Sequence, residues 1–283
     1  MKHKKLLSIL ILLIIFVITN VWCSYNLLQV NDFEYHSNKI NEEMKIMVLA
    51  DLHDHEFGKH SSYLIDKIHD VNPDLILMAG DFVNVDSQNA NILLDIVKQL
   101  QNYPIYFGLG NHEISFIEKH STFLNDLEKL NVHIVDKNYE DITIKNNTLR
   151  IGGLYDYAFG ADDFNTALKA PKEIINYLSE FQDSNRLKIM ISHRPDSFIF
   201  GDASKQWKID LVVNGHNHGG QVVLPFLGGL YGGDQGFFPK YIHGMYRKDN
   251  LHIFITSGLG AHTQKLPRFN NIPEIAVIHC YPE

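Results

Sequence analysis

Five apolar runs of strand length in this chain each end in a cluster of Asp, Asn or His. Residues 45–50 run into Asp51, Leu52 and His53, and residues 75–79 run into Gly80 and Asp81. Residues 105–109 lead to Gly110, Asn111 and His112, residues 188–192 lead to His193, and residues 211–213 lead to Asn214, Gly215, His216, Asn217 and His218. In an open α/β sheet the loops at the carboxyl ends of the strands converge while the strands hold them rigid, so ligand sites assemble there. Five such loops can meet in one place.

The periodicity between these runs agrees with that class. Short β-rich segments at 45–50, 75–78 and 105–107 alternate with amphipathic helical stretches near 61–70 and 89–100. A helix is predicted at 115–130, strands at 132–135, 142–144 and 148–151, and a helix around 163–181. The last third, with strands at 188–192, 209–213, 251–256 and 275–279, reads as strand and glycine-rich loop. Val30, Phe33 and Tyr35 hint at one more strand near the start, and no linker divides the chain after it.

Taken singly, each polar residue has an ordinary explanation. An Asp after a strand is most often a turn former or helix cap, and a lone His is usually a hydrogen-bonded surface or core residue. The conjunction is what points to a metal. In Asp51-Leu52-His53 and His216-Asn217-His218 the polar side chains are two apart, which in extended backbone puts them on one side. Gly80, Gly110, Gly215 and Gly219 flank them, as needed where backbone turns sharply to bring ligands close to a cation. Mixed imidazole, carboxylate and carboxamide donors without thiolate suit Mn, Fe, Zn or Co better than Ca or a structural zinc. Seven ligands exceed one tetrahedral ion and match two ions sharing a carboxylate, about 3.5–4 Å apart. The two cysteines, Cys23 and Cys280, cannot form a disulfide framework or a Cys-rich zinc site.

At the N-terminus Lys2, Lys4 and Lys5 precede residues 6–17, where only Ser8 interrupts Leu, Ile, Phe and Val. With residues 18–23 the run reaches bilayer-spanning length, and Trp22 sits where an aromatic anchor belongs. A cleaved signal peptide shares this outline, but no small-x-small cleavage site follows and Asn20-Val21-Trp22 before Cys23 is unlike a lipoprotein processing site. Residues 1–23 are therefore read as an uncleaved signal anchor and 24–283 as one catalytic domain. The lysines on the N-terminal flank orient that domain outside the cytoplasm, in a single-pass cell-membrane protein. The formal charge is −8, and about −11 without those three lysines, which leaves no basic surplus for a nucleic-acid partner.

Read in order, Asp51-x-His53, Gly80-Asp81, Gly110-Asn111-His112-Glu113, Ser192-His193 and Gly215-His216-x-His218 resemble the five motifs of the calcineurin-like metallophosphoesterases. Further stretches are similar to the membrane-associated bacterial branch typified by YkuE and YaeI. They are His218-Gly219-Gly220-Gln221, Leu224-Pro225-Phe226, residues 236–241, Ser257-Gly258-Leu259-Gly260 and residues 271–275. The resemblance implies a four-layer sandwich of two mixed β-sheets flanked by helices. It implies two divalent metal ions, with Asp51, His53 and His218 on the first, Asn111, His193 and His216 on the second, and Asp81 bridging them. It implies His112 as a catalytic residue that is not a ligand, placed at the substrate phosphate. The expected reaction is hydrolysis of a phosphodiester, a lipid-linked pyrophosphate or a phospholipid-type ester by a hydroxide that the dinuclear metal activates, with Mn, Fe or Zn as the metals. Asn84 stands where the second motif often carries an acid, and with Asp54 and His55 it bears on the surroundings of the ligands rather than on the ligands themselves.

The rival from another class is a non-catalytic, membrane-anchored domain that keeps the fold and binds metal or ligand without cleaving it; an intact motif set argues against it. A dinucleotide-binding reading of Gly108-Leu109-Gly110 fails because Glu113 occupies the third glycine position. The apolar loops at 222–230 and 236–241 admit two readings, as a lid or membrane contact, or with Phe237, Phe238 and Tyr241 packed into the sandwich.

Overall fold

The computed structural model describes residues 2–155, 157–159, 167–260 and 266–283. It opens with α1 (Lys2–Asn26), then β1 (Gln29–Ser37), β2 (Met44–Leu49), α2 (Ser62–Val71), β3 (Leu75–Ala79), α3 (Asn91–Gln99) and β4 (Ile105–Gly108). Next come α4 (Asn111–Ile117), α5 (Phe123–Glu128), β5 (Val132–Val135), β6 (Tyr139–Ile144), β7 (Asn147–Gly153), α6 (Lys172–Gln182) and β8 (Leu187–Ile191). The remainder is α7 (Asp196–Phe200), α8 (Ala203–Gln206), β9 (Leu211–Asn214), β10 (Val223–Leu224), β11 (Gly228–Gly229), β12 (Gly244–Lys248), β13 (Leu251–Ile255) and β14 (Glu274–Pro282).

Two six-stranded mixed sheets result, ordered β1-β14-β2-β3-β4-β5 and β12-β13-β9-β8-β7-β6. Each contains a four-stranded parallel block, β2 to β5 in one and β13, β9, β8, β7 in the other. Strands covered on both faces must be apolar throughout, which is why β3 and β8 are buried at every position. Alternate residues serve different layers. Ile46 and Val48 join Leu77, Ile151, Ile189, Val213 and Phe254 between the sheets, while Met47 and Leu49 face Leu64, Ile68 and Leu93 of the helices outside. Helices α6 to α8 cover the other sheet through Leu178, Phe181 and Phe198. The layers are therefore helix, sheet, sheet, helix, as the motif resemblance implied.

The helix predicted over 115–130 is two helices, α4 and α5. Residues 118–122 between them carry no apolar side chain to bury, and the His120 amide closes the turn on the Phe116 and Ile117 carbonyls. The helix predicted around 163–181 starts at Lys172, after Pro171; residues 163–166 of that expectation lie outside the described residues. The strand hinted at by Val30, Phe33 and Tyr35 exists as β1, and it pairs in parallel with the C-terminal β14. Helix α1 runs past Cys23 to Asn26, and only Leu27 and Leu28 separate it from β1. Its side chains from Leu6 to Ile18 are exposed, yet its last turns pack on the domain, where Ser24 is buried.

Candidate metal centre

All five polar clusters follow the carboxyl ends of parallel strands, β2, β3 and β4 of one sheet and β8 and β9 of the other, with Asn111 and His112 opening α4. The backbone there is not extended. Asp51, His53, Asp81, His216 and His218 all have left-handed φ, between 45° and 71°. The two-apart pairs therefore converge through tight turns rather than along a strand face, which corrects the extended-backbone expectation. Non-glycine residues in that region cost of order 1 kcal/mol or more each, strain that the surrounding structure must hold. Gly80 also has positive φ, and a Cβ on it would come within 2.6 Å of the Gly110 nitrogen. The loops after β3 and β4 thus touch backbone to backbone.

Glu113, the last residue of the Gly110-Asn111-His112-Glu113 motif, joins those two loops. Its buried carboxylate accepts from the backbone N–H of Asp81 (2.7 Å), Phe82 (2.7 Å), Val83 (3.3 Å) and Gly110 (2.9 Å). A second unforeseen support is Arg268, which is fully buried. It donates to the carbonyls of Ser257 (3.0 Å), Gly260 (2.7 Å) and Asn271 (3.1 Å). That anchors the loop whose Leu259 and Gly260 amides donate to the carbonyls of Ala50 (2.9 Å) and Asp51 (2.6 Å).

Among the described residues, candidate ligand atoms lie within 4.8 Å of one another in three overlapping groups: Asp51, His53 and His218; Asp81, His193 and His216; and His53 and Asp81 with His112, the predicted non-ligand. Asp81 belongs to two of them. The His193 Nε2 is 3.0 Å from Asp81 and 4.0 Å from Asp51, and the His218 Nε2 is 3.7 Å from Asp51. Asn111 lines the same cavity, and its Oδ1 is buried with no hydrogen-bond donor.

Hydrogen-bond partners assign the imidazole tautomers, and they separate two kinds of histidine. His53 Nδ1 faces Asn84 Oδ1 (2.9 Å), whose amide nitrogen donates to the His53 carbonyl (3.0 Å) and to Asp54 (2.8 Å). His193 Nδ1 faces the Ala79 carbonyl (2.7 Å), and His218 Nδ1 faces that of Gly260 (3.3 Å). Each must donate from Nδ1, as metal-ligating histidines do, which turns Nε2 to the cluster: the His53 and His218 Nε2 atoms lie 3.4 Å apart, and His193 Nε2 faces Asp81. His112 is reversed: its Nδ1 accepts from the Val85 N–H (3.1 Å), so Nε2 carries the proton, 3.9 Å from Asp81. His216 donates its backbone N–H to both Asp51 oxygens (3.1 and 3.0 Å), and its Nε2 is 3.9 Å from Asp234.

Charge in this site calls for a cation. Burial, reinforced by the Asp81 charge, pushes the Asp51 carboxyl up to about 7. Asp81 is equally buried but is held well below the usual carboxylate range by His193 and His53. Burial alone would lower His193, yet Asp81 and Asp51 outweigh it and push the ring up to about 9. Burial holds His53 down at about 4, and burial with neighbouring rings holds His216 and His218 well below the ordinary imidazole range. Two buried carboxylates, three imidazole Nε2 atoms turned toward them and an unpartnered carboxamide oxygen fit divalent metal.

The surrounding cavity, about 580 Å³, is also lined by Arg194, Tyr157, Tyr231 and Asp234. Arg194 donates to Tyr157 Oη (2.9 Å) and Asp234 (2.5 Å), with its guanidinium 4.4 Å from the centre of the Tyr157 ring. Nothing in the sequence around Arg194 distinguishes it as a cavity residue, although it adjoins His193. His55 turns away from the ligands and packs against Phe57 and Tyr25 of α1.

The layered architecture is shared with a Staphylococcus aureus chain described as a 5′-nucleotidase, at 13% identity and a TM-score of 0.51, over 84% of this chain and 54% of that one. The sequence profile of the calcineurin-like phosphoesterases matches residues 44–220, so the chain belongs to that family. Among its relatives are the metallophosphoesterase YkuE of Bacillus subtilis, 28% identical over 82% of this chain and 77% of YkuE, and the phosphodiesterase YaeI of Escherichia coli, 27% identical over 83% of this chain and 81% of YaeI. The chain spans 64% of the length of the first curated relatives it matches.

Proposed function

We propose that the protein hydrolyses phosphodiesters or related phosphoesters at a dinuclear metal site, in a single domain formed by residues 24–283 behind an anchor at 1–23. The first ion would be held by Asp51, His53 and His218, the second by Asn111, His193 and His216, with Asp81 shared. The observation that supports this is the pattern of ring contacts: three rings in the predicted ligand set donate from Nδ1 and turn Nε2 to the carboxylates, while the one predicted non-ligand, His112, accepts at Nδ1 and so carries its proton on Nε2. Two divalent ions, Mn, Fe or Zn, would supply an acidified water and neutralise charge on the phosphoryl oxygens.

The protein groups then have distinct tasks. His112 Nε2–H is placed to donate to the leaving oxygen. The His112 backbone N–H donates to Asp81 Oδ1 (2.9 Å), which fixes the shared carboxylate beside it. Arg194, between Tyr157 and Asp234 on the cavity wall, offers a planar cation to a phosphate oxygen or to the rest of the ester. The basic N-terminal flank and the 24-residue apolar helix at 3–26 support a membrane-anchored protein with this domain outside the cytoplasm.

The test is turnover of bis(p-nitrophenyl) phosphate by the full-length protein with added Mn²⁺. The proposal expects hydrolysis that EDTA abolishes and Mn²⁺ restores. Metal binding without turnover on any phosphoester would instead favour the non-catalytic, ligand-binding reading.

A further inference from the structure

We propose that the β10–β11 hairpin and the neighbouring 236–239 loop form a surface that seats in the lipid bilayer beside α1, so that the metal cavity opens at the lipid boundary. The sequence left these loops between membrane contact and internal packing. Phe226 is wholly exposed, and Leu227, Phe237 and Phe238 are 66%, 70% and 56% exposed, whereas Tyr241 packs with the outer core of the second sheet. The two segments are one unit, since Phe238 N–H donates to the Leu230 carbonyl (2.9 Å) and Tyr231 bridges to Phe237. Four large apolar side chains on two joined loops are more than the scattered exposure a soluble surface carries.

The occupant follows from what lies next to this unit. Val222 and Phe269 form a bridge, and Val223 N–H donates to the Phe269 carbonyl (2.9 Å). Phe269 in turn meets the ring of Phe16 in α1 (centroids 6.3 Å apart), and Asn270 N–H donates to Asn20 Oδ1 (2.5 Å). Both contacts fall within the apolar stretch of α1, not beyond its end. Phe16 lies about 15 Å along the helix before Asn26. If α1 spans a hydrocarbon layer about 30 Å thick, the Phe269 level must lie at or inside the boundary. The tip at Phe226 is three residues from Val223, no more than about 10 Å of chain away. A bilayer is therefore the phase that meets these side chains.

The same segment begins and ends in the cavity, since Gln221 and Tyr231 both line it. On the hydrolytic reading above, on which this last step rests, the substrate class is an amphiphilic phosphoester whose head group is taken from the bilayer. The seating itself does not depend on catalysis.

Full-length protein reconstituted in phosphatidylcholine vesicles, with and without lipids brominated high on the acyl chain, tests this directly. Phe226→Trp should add emission that the bromines quench beyond the wild-type background of Trp22 and Trp207, and Phe238→Trp should do the same. Tyr281→Trp is the control, because it lies at the opposite end of β14 from Glu274, about 23 Å away. Equal quenching at the hairpin and control positions would overturn the seating. The paired variant Phe226→Asp with Leu227→Asp should lower kcat/KM for a vesicle-embedded phosphoester at least tenfold and leave bis(p-nitrophenyl) phosphate turnover unchanged. An equal effect on both substrates would overturn the substrate step, whereas no turnover by the wild type would overturn the hydrolytic reading and leave the quenching result standing.

Discussion

Replacing Asn84 by Ala removes the group that fixes the His53 ring without touching a proposed ligand. Asn84 Oδ1 takes the His53 Nδ1 proton at 2.9 Å, and its amide nitrogen ties the same residue's carbonyl at 3.0 Å. Without it the ring either buries an unmatched N–H, costing about 1–3 kcal/mol, or moves its proton to Nε2, where the metal lone pair should be. Because Asn84 is only half-buried, water can replace part of the lost acceptor, so the low end applies. The expected loss is about tenfold in affinity at one of two metal positions, within the 10–100-fold range for such supporting groups. Calorimetric titration of metal-free protein with Mn²⁺ measures it. Asn84→Asp should recover much of the affinity, since a carboxylate still accepts from Nδ1, but should lose fold stability by opposing Asp54. An Asn84→Ala affinity within twofold of wild type would refute the tautomer reasoning.

Other expectations are equally specific. His112→Ala should lower turnover by about 10²–10⁴ while elemental analysis finds unchanged metal content, and the deficit should shrink for esters with good leaving groups. Loss of metal in that variant would make His112 a ligand instead. Glu113→Gln places an amide N–H₂ among four backbone donors and should cost about 1–3 kcal/mol in urea unfolding, with weaker metal binding; an unchanged midpoint would contradict the stapling role. For metal-free protein, His53 near 4 in the fold and 6.5 unfolded means the unfolded state takes up the extra proton, so stability falls from pH 6.5 toward 4 by about 3 kcal/mol from this group alone. His193 near 9 works oppositely, its contribution being complete below pH 6.5 and lost as pH rises through 9. His216 and His218, also held low, act with His53, and Asp51, raised to about 7, opposes them below pH 7, so urea midpoints in EDTA should peak near pH 6.5, and a maximum below about pH 5 or above about pH 8 would contradict these assignments.

Much of this was legible because the chemistry sits where periodic apolar runs stop. The strand cores ending before Asp51, Asp81, Asn111, His193 and His216 locate five converging loops without any knowledge of their paths, and the motif comparison places Asn84 beside the proposed ligands. What the sequence hid depends on contacts between distant segments. Glu113 binds backbone amides, which leave no residue pattern. Arg268 is buried only because the loops at 256–260 and 270–271 fold over it. The left-handed turns at Asp51 and His53 are invisible to a two-residue periodicity, and β1 could not reveal that its partner is β14. Phe237 and Phe238 could not be placed by composition, because an exposed aromatic and a packed one are the same letter.

The central claim is a pair of metal ions sharing Asp81, and the measurement that addresses it most directly is the metal-to-protein ratio of wild type and Asp81→Asn after Mn²⁺ loading and desalting. The account predicts two ions per wild-type chain and at most one in the variant. Two ions retained in Asp81→Asn, or none in the wild type, would contradict it.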